Sequence, residues 1–329
     1  MRALVTGGAG FIGSHLVEYL VSQGDQVTVL DNFRNGRESN LAGVDVRIIR
    51  GDITDPLTCL RACEGIDIVY HLACLGVRHS LHNPVENHQV NALGTLHILE
   101  GARKSAVSRF IYVSTSEVYG RAREFPIREG TATWPLTVYG GSKLAGEHYA
   151  RAYFECFKLP VVCVRPFNNY GPRSHFEGDA GEVIPRFMLR ALSGLPPVIF
   201  GNGSITRDFL YVGDCASALH RIAGCDALIG SVANLGFGQE ITINDLAKTV
   251  LAVTGHTELS PVFKADRPAD VPRLLVDTSL LHRTIGFKPD VTLEQGISKT
   301  LVYFKKLLRH DPACLNQIVD INWNLDNQE

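Results

Sequence analysis

The sequence lacks a large excess of charge of either sign. Its 329 residues include 32 Lys and Arg against 34 Asp and Glu, which gives a formal net charge of −2. A balanced charge argues against nucleic acid or an anionic membrane as the main partner. No apolar run approaches the roughly 20 residues that span a bilayer, and the first residues show no signal-peptide pattern. We therefore expect a cytoplasmic protein that binds neither nucleic acid nor membrane.

Paired cysteines are also lacking, since the eight cysteines are scattered singly along the chain. Cys59 and Cys63 are four residues apart, but no second pair and no histidine cluster completes a zinc pattern. We expect most cysteines to be small buried hydrophobic residues in a reducing compartment. No metal site is predicted.

A glycine-rich segment, Thr-Gly-Gly-Ala-Gly-Phe-Ile-Gly at residues 6–13, is the most informative feature present. A short apolar run that reads as a buried strand precedes it, and an amphipathic helical pattern follows it. At such a strand-to-helix turn, Gly7 permits the tight turn, Gly10 lets the backbone approach a pyrophosphate, and Gly13 lets the helix pack closely. The free N–H groups of the helix start would bind the phosphates. The segment therefore predicts a dinucleotide site.

A second predicted strand, residues 26–30, ends at Asp31, 18 residues after Gly13. An acidic side chain at this place can accept hydrogen bonds from the adenosine ribose. Its charge would also repel the 2′-phosphate of NADP, although Arg34 and Arg37 follow closely and weaken that preference. The spacing favours NAD as the cofactor.

Strand and helix patterns alternate through the first half of the chain. Strands are predicted at residues 2–6, 26–30, 46–50, 67–72, 109–114 and 161–165. Such alternation indicates right-handed βαβ units and a parallel sheet covered on both faces. We therefore predict an α/β fold, a Rossmann doubly wound parallel sheet with a smaller, discontinuous α/β substrate-binding lobe.

The pattern of elements also predicts the domain organisation. Residues 1–171 and 214–234 would form the NAD-binding domain, and residues 172–213 and 235–310, which are interrupted by Gly- and Pro-containing loops, would form the smaller lobe. Residues 311–329 have little periodicity and are expected to be a loose C-terminal tail.

Tyr139 and Lys143, in the segment Tyr-Gly-Gly-Ser-Lys, are the main catalytic candidates. Residues at i and i+4 project from the same face of a helix. A tyrosine hydroxyl has an ordinary pKa of about 10. A nearby ammonium group and a positive nicotinamide ring would favour the phenolate and lower that pKa. We expect Tyr139 to act as a base beside the cofactor.

The chain carries an ordered series of further short motifs. They include Asp31-Asn32 with Gly36-Arg37, Gly51-Asp52-Ile53, His71-Leu72-Ala73, Asn91-Ala-Leu-Gly-Thr95, Ser114-Thr-Ser-Glu-Val-Tyr-Gly120, Arg165-Pro-Phe-Asn-Asn-Tyr-Gly-Pro172 and Arg207-Asp-Phe-Leu-Tyr-Val212. With the glycine segment and the Tyr/Lys pair, this series resembles the extended short-chain dehydrogenase/reductase family of NAD-dependent nucleotide-sugar epimerases and dehydratases. The resemblance covers about residues 1–305.

The resemblance implies a set of cofactor-binding residues. They are Gly7, Gly10, Phe11, Ile12, Gly13, Asp31, Asn32, Arg37, Asp52, Ile53, Leu72, Ala73, Asn91, Ser114, Tyr139, Lys143 and Pro166. Asn91 could instead only satisfy buried backbone groups. The residue after Ala73 is Cys74, where alanine is usual in the family, and we interpret this thiol as a packing residue near the nicotinamide, where it could be chemically active.

The resemblance also implies the catalytic and substrate-binding residues. Thr115, Tyr139 and Lys143 would form the redox triad, with Ser116 and Glu117 completing the catalytic set. Asn168, Arg173, Arg207 and Arg267 would bind the nucleotide-sugar diphosphate or its sugar.

Several reactions remain open. Thr115-Ser116-Glu117 resembles the triplet of sugar-nucleotide 4,6-dehydratases and UDP-glucuronate decarboxylases, which makes Glu117 the candidate carbon-5 base and Ser116 a hydrogen-bonding partner at carbon 6. We favour a 4,6-dehydratase. The alternatives are a 4-epimerase acting on UDP-glucose or UDP-glucuronate, in which Arg173 or Arg186 would hold a carboxylate, and a UDP-glucuronate decarboxylase. A non-catalytic NAD-binding sensor is a remote alternative.

Relatives in this family usually form homodimers through two helices of each subunit. Here those helices would be residues 87–104 and 139–157. The apolar residues that could form the contact are Leu93, Leu96, Leu99, Tyr149, Tyr153 and Phe154. We expect a homodimer.

Overall fold

The computed structural model of the protein describes residues 1–266 and 271–319. Its strands are β1 (Arg2–Thr6), β2 (Gln26–Asp31), β3 (Arg47–Arg50), β4 (Ile68–His71), β5 (Arg109–Val113), β6 (Val161–Pro166), β7 (Asn168–Tyr170), β8 (Val198–Phe200), β9 (Thr206–Tyr211), β10 (Val232–Leu235), β11 (Glu240–Thr242) and β12 (Val262–Lys264). Its α-helices are α1 (Phe11–Ser22), α2 (Pro56–Cys63), α3 (His79–His82), α4 (Pro84–His88), α5 (Gly94–Lys104), α6 (Val138–Phe157), α7 (Val183–Leu192), α8 (Val212–Ala223), α9 (Ile243–Thr254), α10 (Ser279–Ile285) and α11 (Leu293–His310). A π-helical segment, Gln89–Leu93, joins α4 to α5.

The main sheet has seven strands in the order β10-β6-β5-β4-β1-β2-β3, and every neighbouring pair is parallel. The predicted parallel sheet is confirmed, and the six predicted strands agree within one residue at each end. The chain runs from β1 outward to β3, then crosses back to β4 and continues on the other side. The carboxyl ends of β1 and β4 therefore border a crevice, which is where open α/β sheets bind ligands.

Helices cover both faces of this sheet because each has one apolar side. On one face Leu16 of α1 and Leu219 of α8 belong to a single core cluster. On the other face Cys59 of α2, Ile98 of α5 and Ala150 of α6 belong to a second cluster. The buried cysteines are Cys59, Cys63, Cys163, Cys215 and Cys314, which agrees with the predicted role of most cysteines as small hydrophobic residues.

A third core lies among α7, α9 and α11, where Phe187, Leu246 and Phe304 are almost fully buried. Beside it lie a three-stranded sheet, β11-β9-β7, and the pair β12-β8. Strand β9 runs directly into α8, and β10 then pairs with β6 of the main sheet. The proposed bounds remain residues 1–171 and 214–234 for the cofactor domain and residues 172–213 and 235–310 for the smaller lobe.

The expectation of a loose tail is wrong for residues 311–319. Residues Pro312–Gln317 form a 3₁₀ helix in which Cys314 is fully buried. Leu315 and Ile318 pack against the core of the smaller lobe. About two turns of 3₁₀ helix are too short to show a sequence periodicity, so no pattern in the sequence predicts this anchoring. Residues 320–329 lie outside the described residues.

Candidate active site

A cavity of about 1220 Å³ lies at the carboxyl ends of the central strands, between the main sheet and the smaller lobe. It is larger than a typical pocket for one small molecule, about 300–1,000 Å³. All the predicted cofactor-binding residues line it except Asn91. Thr115, Ser116, Glu117, Asn168 and Arg207 line the same cavity. The cavity is therefore large enough for two ligands side by side.

The glycine segment forms a tight backbone cradle between β1 and α1. Gly7 has a φ of +69°, a conformation that favours glycine. A Cβ atom on Gly13 would lie 2.1 Å from the carbonyl oxygen of Gly7, so any side chain there would displace the turn. No side chain caps the start of α1 at Gly10, which leaves the first backbone N–H groups available to a ligand. The cradle thus fits the pyrophosphate of NAD.

Asp31 lies in the cavity wall at the end of β2 and is 7% exposed. Its carboxylate accepts hydrogen bonds from the backbone N–H of Ala9 at 2.9 Å and of Phe33 at 2.7 Å. Burial raises the pKa of Asp31 above its ordinary value. Two backbone donors leave lone pairs on both oxygens, so the carboxylate can still accept from a ribose hydroxyl.

The side chains of two predicted cofactor residues, Arg37 and Asn91, contact other groups of the protein. Arg37 lines the cavity, but its guanidinium forms an ion pair with Glu177 of the smaller lobe. Asn91 is 1% exposed; its Oδ1 accepts from the N–H of Leu75 at 2.8 Å, and its Nδ2 donates to the carbonyl of Leu75 at 2.9 Å. Asn91 does not line the cavity, and its amide holds the segment after β4, so its role as a cofactor contact stays a prediction.

Tyr139 lies at the start of α6, where Thr137 caps the helix by accepting a hydrogen bond from Gly140 N–H. The Tyr139 hydroxyl is hydrogen-bonded to Thr115, and burial raises its pKa well above the ordinary value. Cys74 and Glu117 raise that pKa further. The predicted lowering is therefore not produced by the side chains alone, and the positive nicotinamide ring would have to supply it.

Lys143 is 1% exposed, and its Nζ donates to the carbonyl of Val113 at 2.7 Å. The ammonium group also lies 4.6 Å from the centre of the Tyr112 ring. Burial lowers the pKa of Lys143, while nearby Cys74 and Glu147 raise it. Lys143 is thus held at the end of β5, in the cavity wall, on the same helix as Tyr139.

Ser116 and Glu117 lie in a 3₁₀ helix, Ser116–Tyr119, whose start is capped by Thr115: its Oγ1 accepts from Glu117 N–H at 3.2 Å. A Cβ on Gly140 would lie 3.0 Å from the carbonyl oxygen of Glu117, so this turn packs directly against the start of α6. The charge of Glu117 is close enough to raise the pKa of Tyr139. A carboxylate thus lies beside the candidate redox tyrosine.

The three arginines predicted to bind substrate lie in different places. Arg207 lines the cavity and is held by two carbonyl groups, of Thr206 at 2.8 Å and Val271 at 2.7 Å. Arg173 pairs with Glu18 of α1 at 2.5 Å and does not line the cavity, so the structure does not bring it together with the other predicted substrate residues. Arg267 lies outside the described residues.

Several cavity residues carry no signal that we recognised in the sequence. They include Arg78, His175, Glu177 and Glu182, which lie in irregular segments before α3 and α7. Such segments have no periodicity, and only the packing of the two lobes brings them to the cavity.

Within residues 1–266 and 271–319, no group of three or more His, Cys, Asp or Glu is arranged to hold a metal ion. Over the same ranges no helix combines the length and the apolar character needed to cross a membrane.

The doubly wound sheet, the glycine cradle and the Tyr/Lys pair at one cavity define a class, the NAD-dependent enzymes of the extended short-chain dehydrogenase/reductase type. Residues 4–300 match the family described as GDP-mannose 4,6 dehydratase. The protein belongs to this family of nucleotide-sugar epimerases and dehydratases, and its cofactor is NAD.

Relatives with different reactions are similarly close to this chain. A UDP-glucose 4-epimerase of Mycolicibacterium smegmatis is 35% identical, over 93% of this chain and 99% of that protein. The UDP-glucuronic acid decarboxylase 1 of Xenopus tropicalis is 34% identical, over 94% of this chain and 73% of that protein. DesIV, a dTDP-glucose 4,6-dehydratase from Streptomyces venezuelae solved with NAD bound, has a TM-score of 0.88 and 31% identity, over 94% and 98% of the two chains.

Proposed function

We propose that the protein is an NAD-dependent nucleotide-sugar 4,6-dehydratase that acts through a transient 4-keto sugar. The observation that carries the proposal is the position of Glu117, a carboxylate in the cavity wall beside Tyr139. Oxidation at carbon 4 makes the hydrogen on carbon 5 acidic, and a base near the redox tyrosine can then remove it. A simple epimerase needs no such base.

The proposed reaction assigns a separate role to each of several residues in the cavity. Bound NAD would supply the acceptor for a hydride from carbon 4 and return that hydride to carbon 6. Tyr139, hydrogen-bonded to Thr115, would take the proton of the carbon-4 hydroxyl, and Lys143 would stabilise the phenolate. Glu117 would remove the carbon-5 proton and pass it to the carbon-6 hydroxyl, to which Ser116 would be hydrogen-bonded and which would leave as water. Solvent would return a proton to carbon 5 as the hydride adds to carbon 6, and Tyr139 would release its proton to solvent. Asn168 and Arg207 would hold the diphosphate.

A 4-epimerase is the second candidate, because the relative with 35% identity carries that name. A 4-epimerase that acts on UDP-glucuronate has less support than one that acts on UDP-glucose. Arg173 is paired with Glu18, and Arg186 donates to the carbonyl of Val319 at 2.5 Å. Neither guanidinium lines the cavity, so neither is available in this conformation to hold a sugar carboxylate.

Glu117→Gln and Tyr139→Phe distinguish the two reactions. If Glu117 is the carbon-5 base, Glu117→Gln should lower turnover about 10²–10⁴-fold and accumulate NADH, because oxidation proceeds and elimination stalls. Tyr139→Phe should produce no NADH at all. Absorbance of the reduced nicotinamide after mixing with substrate measures both.

The matched control is Glu155→Gln, an exposed residue of α6 outside the cavity, which should turn over normally. Normal turnover of Glu117→Gln, without NADH accumulation, would reject the dehydratase and favour the epimerase.

A further inference from the structure

One carboxyl group in the cavity wall makes no hydrogen bond or ion pair with another of the described residues. Glu182 directly precedes α7 and lines the cavity. Its backbone is fixed at both ends, because its N–H donates to the carbonyl of His175 at 2.8 Å and its carbonyl accepts from the N–H of Arg186 at 3.3 Å. Its side chain does not cap the helix. The carboxyl group is therefore held in the cavity wall, where none of the described residues uses its hydrogen-bonding capacity.

The charged groups that face Glu182 come from two walls of the cavity. His175 and Glu177 lie in the segment before α7, and Arg78 lies in the segment after β4. Glu177 is already paired with Arg37. Burial raises the pKa of Glu182 to about 7, Glu177 raises it further, and His175 and Arg78 only partly oppose this. Near neutral pH the carboxyl group can thus both donate and accept a hydrogen bond.

The same segment that carries Arg78 begins at Cys74, which is close enough to Tyr139 and Lys143 to shift the pKa of both. Glu182 therefore faces a segment whose other end lies at the redox residues. The predicted cofactor-binding residues line the main-sheet wall of the cavity, so the wall formed by the smaller lobe, which includes Glu182 and Arg207, is left for the nucleotide sugar.

The acidic groups Glu117 and Glu182 in the cavity wall would favour a neutral sugar over an acidic one. A neutral hydroxyl or amide substituent can exchange hydrogen bonds with a carboxyl group, whereas a carboxylate on the sugar would meet like charge.

We propose that Glu182 is a specificity-determining residue that hydrogen-bonds a neutral substituent of the sugar and rejects a sugar carboxylate. The inference rests on the proposed function in taking a nucleotide sugar as the ligand. It narrows the substrate class to neutral sugars, in contrast to a decarboxylase that acts on a uronic acid.

The test compares the dissociation constants of a neutral hexose and the corresponding hexuronic acid on the same nucleotide. The UDP, dTDP and GDP forms of both sugars are titrated into the NAD-loaded protein by calorimetry at pH 6 and pH 8. Using all three nucleotides prevents a nucleotide preference from hiding the difference between the two sugars. The variants are Glu182→Gln, which removes only the charge, and Glu155→Gln as an exposed control.

In the wild type the hexuronic acid should bind about tenfold more weakly than the hexose at pH 8, with a smaller difference at pH 6. Ionisation of Glu182 above pH 7 increases the repulsion. At pH 8 Glu182→Gln should reduce the difference severalfold, while Glu155→Gln leaves it unchanged.

Equal binding of the two sugars by the wild type at pH 8 would overturn the inference, even if Glu182→Gln fails to fold. An unchanged difference in Glu182→Gln would overturn it as well. If none of the nucleotide sugars binds, the proposed function fails and this inference with it.

Discussion

The buried ion pair between Glu147 of α6 and Arg165 of β6 should be one of the most sensitive points of the fold. Arg165 Nη2 lies 2.6 Å from Glu147 Oε2, and its Nε lies 2.9 Å from Oε1, so the contact is bidentate. The two side chains are only 5% and 7% exposed. Ser114 donates to the same carboxylate, and Arg165 also donates to the Tyr119 hydroxyl. The pair thus joins the catalytic helix to the strands beneath it.

Glu147→Gln removes the negative charge and leaves the guanidinium of Arg165 buried and unpaired. Breaking one side of a buried pair costs about 3–5 kcal/mol. With an unfolding entropy of about 2.1 cal/mol/K per residue, the 329-residue chain loses about 0.7 kcal/mol of stability per degree. The melting temperature should therefore fall by about 4–7 °C, measured by calorimetry.

The matched control is Glu100→Gln, whose partner Arg103 lies one helical turn away and is 37% exposed. An exposed pair contributes about 0–1 kcal/mol, so the control should melt within about 1 °C of the wild type. Combining Glu147→Gln with Arg165→Met removes both charges and should cost clearly less than the sum of the two single changes. Equal effects of Glu147→Gln and Glu100→Gln, or additive effects in the double variant, would refute the reasoning.

Further predictions concern the cofactor cavity and the assembly. Because Asp31 should meet the adenosine ribose, NAD should bind about 10²-fold more tightly than NADP, and a titration that gives equal affinities would contradict this. Arg37→Ala breaks a half-exposed ion pair across the cavity and should speed NAD loss during gel filtration about two- to fivefold; an unchanged rate would count against that role. Bound NAD should slow the alkylation of Cys74 by iodoacetamide but not that of exposed Cys156, as mass spectrometry of labelled peptides would show; equal rates with and without NAD would argue against a cofactor next to Cys74. We propose a homodimer formed by the predicted helices at 87–104 and 139–157, and Leu93→Arg, at a residue 42% exposed, should shift light scattering from two chain masses to one; a wild type that is already monomeric would reject this.

Local patterns predicted the parts of the fold that depend on neighbouring residues. The strands and the start of α1 follow from short apolar runs and from a glycine segment whose steric reason is local: the Gly13 position lies against Gly7 O. Of the apolar residues that we expected at a homodimer contact, Leu99 is fully buried in the core of the main sheet. A helical pattern alone does not tell the face toward the sheet from the face toward a second subunit.

The contacts that the sequence did not reveal involve side chains whose partners are distant in sequence. Arg173 pairs with Glu18, 155 residues away, and a motif shared with a family gives no sign of that pairing. Asn91, which lies in the π-helical segment before α5, binds the backbone of Leu75, 16 residues away. Glu182 is the converse case: it belongs to no motif that we recognised in the sequence, yet it lines the cavity. It reaches the cavity because the smaller lobe packs against the main sheet.

The central claim, that a carbon-5 base beside the redox tyrosine makes this enzyme a dehydratase, is tested most directly by the mass of the product. Wild-type protein is incubated with UDP-, dTDP- and GDP-hexoses, and the nucleotide sugars are analysed by mass spectrometry. Our account predicts a product lighter by one water molecule, with one solvent deuterium retained at carbon 5 when the reaction is run in heavy water. A product of unchanged mass that is a new isomer, with no solvent deuterium, would contradict it.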